Sequence, residues 1–156
     1  MFAANLRPVL VFVDTSTTAA ATTTGYVDTL DTNTNNKYEF CQFAYREATV
    51  NVVSNKPTVL KIQESDDTVV SNAVNIVALT GGTATSATVG FVITAPANTS
   101  VTNMTVFNID CRSRKRYLHF SVSPATTQIV GCTAVLGRGK NSPVTATAAG
   151  VKQVVG

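Results

Sequence analysis

The chain has no tryptophan, one histidine and three cysteines, and charged residues make up only 13% of its 156 positions. Soluble domains usually carry about 25% charged residues, so this chain has about half the usual charge density. One histidine and three separated cysteines do not easily supply the four ligands of a zinc site. Without tryptophan, the chain also lacks an indole ring to line a sugar-binding cleft, which disfavours both a glycoside hydrolase and a lectin.

Motifs that carry catalysis or bind ions are also missing. Any Ser-His-Asp triad would need His119 as its base, yet the sequence has no Gly-x-Ser-x-Gly elbow. The pair Gly81-Gly82 lacks the Lys-Ser/Thr of a phosphate-binding loop. The acidic residues Glu64, Asp66 and Asp67 lack the spacing and the glycine of an EF-hand calcium loop, and they are typical of a solvated turn. We therefore expect no enzymatic activity, no cofactor and no metal ion.

Cysteine usage and the longest apolar run bear on the compartment. Cys41, Cys111 and Cys132 are odd in number and form no CxxC motif, which favours buried, reduced thiols in a reducing cytoplasm. The apolar run Val9–Val13 is too short to span a membrane, and it predicts a buried strand. We expect a protein made in the cytoplasm that has three free thiols and does not contact a membrane.

What the chain does contain is threonine, at roughly one residue in six, together with many valines. Both residues have a branched Cβ that fits a pleated strand, and no helical pattern is long enough for a crossover between parallel strands. Turn signals recur at intervals of roughly 8–15 residues, which is typical of a sandwich, jelly roll or barrel. We predict an all-β fold, an antiparallel β-sandwich or jelly roll with extended N- and C-terminal arms. The predicted strands are Arg7–Asp14, Tyr38–Phe43, Thr49–Val53, Thr58–Glu64, Val74–Leu79, Ala87–Thr94, Met104–Cys111, Arg116–Val122 and Ile129–Leu136.

Composition divides the chain into three regions. Residues 1–36 contain one predicted strand and then a small, polar stretch from Thr15 to Thr24 without apolar periodicity, which predicts an extended arm. Residues 37–137 carry the alternating pattern of the β-sandwich core. Residues 138–156 are again small and of low complexity, which predicts a C-terminal arm.

Period-two alternation also predicts which side chains face the core. One face of each predicted strand should be buried and the other exposed. His119 then points outward, beside Tyr117 and Ser121. The predicted core residues are Leu60, Ile62, Phe91, Ile93, Leu118, Phe120 and Val122.

The most concentrated feature is the basic segment 110–116, Asp-Cys-Arg-Ser-Arg-Lys-Arg, with four cations in five positions. These charges repel one another, so an acidic partner surface could attract the segment through bidentate arginine contacts. A solvated loop between two strands is the alternative. A nucleic-acid site is disfavoured because no aromatic residues are interleaved with the cations. The candidate protein-interface residues are Arg112, Arg114, Lys115, Arg116, Tyr117 and His119.

Three stretches resemble small head-decoration, or capsid cement, proteins of tailed bacteriophages. Residues 59–67 contain Lys-Ile-Gln-Glu-Ser-Asp-Asp, and residues 112–124 contain Arg-Lys-Arg-Tyr-Leu in a strand that ends in proline. The third stretch is similar to the C-terminal end of these proteins and consists of Ala134-Val-Leu-Gly-Arg138 followed by Pro143-Val-Thr-Ala146. The resemblance covers about residues 38–151 in the same order. It departs from the family in a longer, threonine-rich N-terminal region and in Val69 and Val70, which stand in place of an aromatic residue.

The resemblance implies a structural virion protein, made in the host cytoplasm, that assembles on the capsid exterior and stabilises the phage head. Its implied partners are the major capsid protein and further copies of the same chain, a trimer being preferred to a dimer. Neither nucleic acid nor a membrane is an expected partner. Two alternatives stay open: another virion component, such as a tail or fibre protein, and a carbohydrate-binding β-sandwich. A fibre shaft would show sequence repeats, and none is visible.

Overall fold

The computed structural model describes residues 6–48, 56–79, 82–93 and 102–138, and the backbone of residues 153–155. Two mainly antiparallel sheets pack face to face, so the predicted all-β sandwich is confirmed, whereas the jelly-roll topology stays a prediction. The strands are β1 (Leu6–Thr17), β2 (Thr23–Asp28), β3 (Leu30–Asp31), β4 (Asn36–Lys37), β5 (Phe40–Ala48), β6 (Val59–Ser65), β7 (Val74–Asn75), β8 (Ala78–Leu79), β9 (Gly82–Thr83), β10 (Asn103–Asp110), β11 (Tyr117–Ser123), β12 (Gln128–Gly137) and β13 (Gln153–Val155).

The larger sheet, sheet A, has the strand order β1-β12-β5-β10-β13. Strand β5 lies between β12 and β10 and is antiparallel to both, whereas β13 runs parallel to β10 at one edge. The smaller sheet, sheet B, has the order β2-β11-β6-β7. The short pairs β3-β4 and β8-β9 lie outside these two sheets.

The hydrophobic core lies between the two sheets and is built around Phe120. The ring of Phe120 lies 5.4–6.2 Å, centroid to centroid, from four other rings. These rings belong to Phe12, Phe43, Tyr45 and Phe107 and come from three different strands of sheet A. All seven core residues expected from period-two alternation are buried, so that prediction is confirmed. The three cysteines are buried and none of them forms a disulfide, which agrees with the expected free thiols.

The N-terminal region contains more strand than its composition suggested. The prediction of one strand in residues 1–36 is wrong, because β1, β2 and β3 all lie there. The hydroxyl oxygens of Thr17 and Thr23 form a hydrogen bond of 2.8 Å, and the Thr24 hydroxyl donates to that of Ser121 at 3.0 Å. Side-chain hydroxyls therefore connect these strands to each other and to β11, in a stretch where apolar periodicity is missing. The division into arm, core and arm stays a prediction.

The predicted strand Ala87–Thr94 is also wrong in its described part, residues 87–93. Only isolated bridges occur there, joining Gly90 to Leu60 and Ser86. Gly90 has a φ of +81°, and a Cβ added to it would lie 1.9 Å from the Leu60 carbonyl oxygen. The chain turns at Gly90 and then delivers Phe91 and Ile93 to the core. The predicted strand Thr49–Val53 and almost all of the C-terminal region 138–156 lie outside the described residues.

Candidate interaction surface

The basic segment is internally neutralised. Each of its four cations forms an ion pair with a carboxylate of the same chain. The pairs are Arg112 with Asp110, Arg114 with Glu64 at 3.4 Å, Lys115 with Asp66 at 2.9 Å, and Arg116 with Asp28 at 2.7 Å. Four cations against four carboxylates leave no local excess of positive charge.

Backbone contacts fix the segment further. The Glu64 carboxylate accepts a hydrogen bond from the Lys115 backbone N–H at 2.8 Å, and the Lys37 ammonium donates to the Arg114 carbonyl. The guanidinium of Arg116 also lies over the Tyr117 ring, 4.9 Å from its centroid. The mutual repulsion that motivated an acidic partner is therefore relieved within the molecule. Docking of a partner through this segment stays a prediction, but the reason given for it, unrelieved repulsion among the four cations, is wrong.

His119 is buried, with 1% of its surface exposed, so the expectation that it is an exposed residue beside Tyr117 is wrong. Its side chain is on the outer face of sheet B, but Ser65 and the ring of Tyr26 lie against it. His119 Nε2 lies 2.8 Å from the Ser65 hydroxyl oxygen. Burial lowers the pKa of His119 below its usual range, against a hydrogen bond to the Asp67 backbone that acts in the other direction. A neutral His119 therefore joins β11 to the turn after β6.

The Ser65–His119 contact is too deeply buried for nucleophilic catalysis. The Ser65 hydroxyl also donates to the Asp67 carbonyl. Both side chains are 1% exposed, so no substrate atom can reach the hydroxyl. The pair is a structural contact.

The outer face of sheet A carries an apolar surface that follows from a bulge in β1. Leu10 is the register partner of Thr133 and Phe12 that of Cys132, so two steps along β1 match one step along β12. Such a bulge reverses the alternation of side chains. As a result, Leu10 points out of the sandwich while Phe12 points inward, 6.2 Å from Phe120. The prediction that the whole run Val9–Val13 is buried is therefore wrong.

A groove of about 420 Å³ lies beside this bulge. Its aliphatic lining includes Leu10 and Val13, which are 60% and 59% exposed, and Ala44 and Met104 from β5 and β10. The ion pair between Asp14 and Arg46 lies at the same groove. Gly131 also lines the groove, and a Cβ added there would lie 2.1 Å from the Asp14 Oδ1 atom.

Two more exposed aliphatic residues extend the groove into a surface. Leu6, two alternations before Leu10 on β1, is 51% exposed, and Ile129 on β12 is 37% exposed. We call Leu6, Leu10, Val13, Ile129 and the groove the sheet A apolar surface. Sequence reasoning missed it because a continuous apolar run predicts burial on both faces. The available signal was that Val9–Val13 has no polar alternation.

One buried carboxylate lies on the core side of sheet A. Glu47 is 1% exposed, and its Oε1 atom accepts a hydrogen bond from the Tyr45 hydroxyl at 3.0 Å. Burial raises the pKa of Glu47 to about 7, although the hydrogen bond from Tyr45 favours its charged form. Within the described part of the chain its Oε2 atom has no hydrogen-bond partner. Glu47 is thus a titratable group inside the sandwich that sequence reasoning did not single out.

Comparison with known protein families, with curated proteins and with solved structures finds no match to this chain. Among the residues that the structure describes, no helix is long and apolar enough to cross a membrane. Within the same residues, no group of three or more histidine, cysteine or acidic side chains is placed to hold a metal ion.

Proposed function

We propose that this chain is a structural protein that binds a protein partner through the sheet A apolar surface. The observation that carries the proposal is the exposure of Leu6, Leu10, Val13 and Ile129 around one groove. Burying four such side chains, each about half exposed, is worth about 4 kcal/mol of transfer free energy. An exposed ion pair contributes roughly 0–1 kcal/mol, so the apolar surface outweighs any single contact of the basic segment.

The resemblance to head-decoration proteins suggests which assembly is involved. We propose that the chain is a capsid cement protein on the exterior of a tailed-phage head, where it binds the major capsid protein and other copies of itself. The low charge content supports this proposal, because few charges must be desolvated when the surface is covered. A trimer is the preferred oligomer within this proposal.

Purified virions of the phage that encodes the chain test this proposal. Mass spectrometry should detect the protein in intact particles, and gold-labelled antibodies should mark the outside of the head. Labelling confined to the tail would favour a tail or fibre component instead. Absence of the protein from particles that are intact and infectious would overturn a structural virion role.

A carbohydrate-binding role is the second candidate, because one aromatic ring is exposed on the outer face of sheet B. Tyr26 is 45% exposed, and its ring stands edge-on to that of Tyr117 with the centroids 5.8 Å apart. An exposed ring beside polar side chains can stack on a sugar. A glycan array would detect such binding, and Tyr26→Ala should abolish it. An array without any signal for the wild type would remove this candidate.

A further inference from the structure

The edge of sheet A that lies opposite β1 is formed by a short C-terminal strand. Within the described residues, strand β13 pairs in parallel with β10 through three residue pairs: Thr105 with Gln153, Val106 with Val154, and Phe107 with Val155. On its other side, β10 makes eight residue pairs with β5. The described contact of β13 with the sheet is therefore short, and parallel pairing is slightly less stable per residue than antiparallel pairing.

The order of the strands requires a long return path before β13. Strand β12 is antiparallel to β5, and β5 is antiparallel to β10, so β12 and β13 run in the same direction. Between them lie β5 and β10. In the register of sheet A, Gly137 on β12 is the partner of Phe40 on β5, and Phe40 is the partner of Asp110 on β10. Asp110 lies five residues beyond Thr105, the position on β10 where pairing with β13 begins.

The linker is longer than this path. Crossing three strand spacings and returning five residues covers about 22 Å. The fifteen residues from Arg138 to Lys152 span up to about 50 Å when extended. The sequence of this linker is rich in Gly, Thr and Ala, and its aliphatic side chains larger than alanine are those of Val144 and Val151. Its length thus allows β13 to reach the β10 edge of another molecule as well as its own.

We propose that β13 is an exchangeable strand that pairs with β10 of a second copy of this chain when copies are concentrated. The paired strand makes the same backbone contacts in either molecule, so the choice depends on the concentration of copies relative to the effective concentration set by the linker. Exchange of an identical element is a low-cost route to oligomers. In the setting of the proposed function, a capsid lattice would bring many copies close together.

Chains that each carry one added cysteine test the exchange in pure protein, without phage heads. One chain carries Val106→Cys and an affinity tag, and the other carries Val154→Cys without a tag. Because these positions are register partners on adjacent strands, about 4.8 Å apart, their thiols are within disulfide range. The two chains are mixed at high concentration and oxidised with copper phenanthroline. The native thiols are buried, and any disulfides that they form set the background level of cross-linking.

The proposal predicts a disulfide-linked heterodimer that contains one tagged and one untagged chain and whose yield rises with protein concentration. Thr24→Cys, at an exposed position of sheet B, replaces Val106→Cys in the control and should give only collisional background. If Val106→Cys fails to fold, the register partners Thr105→Cys and Gln153→Cys take the place of this pair. The proposal is overturned if the mixture stays at background while a chain with both cysteines cross-links only within itself. Such a failure would leave capsid binding through the sheet A apolar surface untouched.

Discussion

The guanidinium of Arg116 donates two parallel hydrogen bonds to the carboxylate of Asp28. Nε lies 2.9 Å from Oδ1, and Nη2 lies 2.7 Å from Oδ2. Burial raises the pKa of Asp28, but the hydrogen bonds from Arg116 and the Leu30 N–H outweigh it, and the pKa lies below its usual range. The pair joins the end of β2 to the start of β11, so it acts on the fold of this chain rather than on a partner.

Arg116→Gln should lower the free energy of unfolding at pH 7, because a bidentate pair that is partly exposed is lost. Chemical denaturation with a double-mutant cycle through Asp28→Asn measures the coupling. Arg112→Gln is the matched control, since Arg112 and Asp110 are 63% and 54% exposed, and its effect should be smaller than that of Arg116→Gln. Equal effects of the two substitutions would show that the Arg116 pair is no more than a surface contact.

Phe120→Ala should cost about 3–5 kcal/mol, because it removes the ring that contacts four other aromatic rings and leaves a cavity. Thermal and urea melts measure the loss. Tyr26→Ala removes an exposed ring from the neighbouring strand and should cost much less. An unchanged melting midpoint for Phe120→Ala would contradict the core assignment.

Glu47 should make the protein less stable as pH rises. Its folded-state pKa, about 7, lies above the ordinary value of 4.5, so its contribution is fully present below pH 4.5 and is lost as pH rises through about 7. Glu47→Gln removes the titration and should stabilise the protein at pH 8 relative to wild type by roughly 2–4 kcal/mol. At pH 4 the difference should nearly vanish. Glu39→Gln, which removes an exposed carboxylate instead, is the control.

His119 should make the stability of the fold depend on pH below neutrality, and its titration can be followed directly because it is the single histidine of the chain. Because the folded-state pKa of His119 is lowered, the unfolded chain binds a proton more readily, and stability should fall as pH decreases below about 6.5. One imidazole signal in a carbon-13 NMR titration belongs to His119 without further assignment. Its midpoint should lie below 6.5. A midpoint at or above that value would mean that His119 is solvated rather than joined to Ser65.

Period-two alternation was enough to find the core of the sandwich. Leu118, Phe120 and Val122 alternate with polar residues along a single strand, and burial of one face requires that pattern. The same pattern placed His119 on the other face correctly but could not show that Tyr26 and Ser65 cover it. Those contacts join residues 54 or more positions apart in the chain.

The partners of the basic segment could not be predicted for the same reason. Arg114 and Arg116 meet carboxylates that lie 50 and 88 positions away, at the ends of β6 and β2. Local sequence shows only the crowded cations, and repulsion follows from that view. The bulge at Leu10 is equally hidden, since the run Val9–Val13 is apolar in either register and only pairing with β12 determines which side chains point out.

Binding of Leu10→Asp to purified phage heads tests the proposed cement function most directly. Leu10 is exposed, so the substitution should leave the melting temperature nearly unchanged while it places a charge in the sheet A apolar surface. Occupancy should fall at least about tenfold, because apolar burial is lost and a carboxylate is desolvated. Thr24→Asp, on the outer face of sheet B, should bind as wild type does, and wild-type binding should persist at about 1 M salt, where the screening length is ~3 Å. Wild-type occupancy by Leu10→Asp, together with release of the wild type at high salt, would contradict docking through this surface.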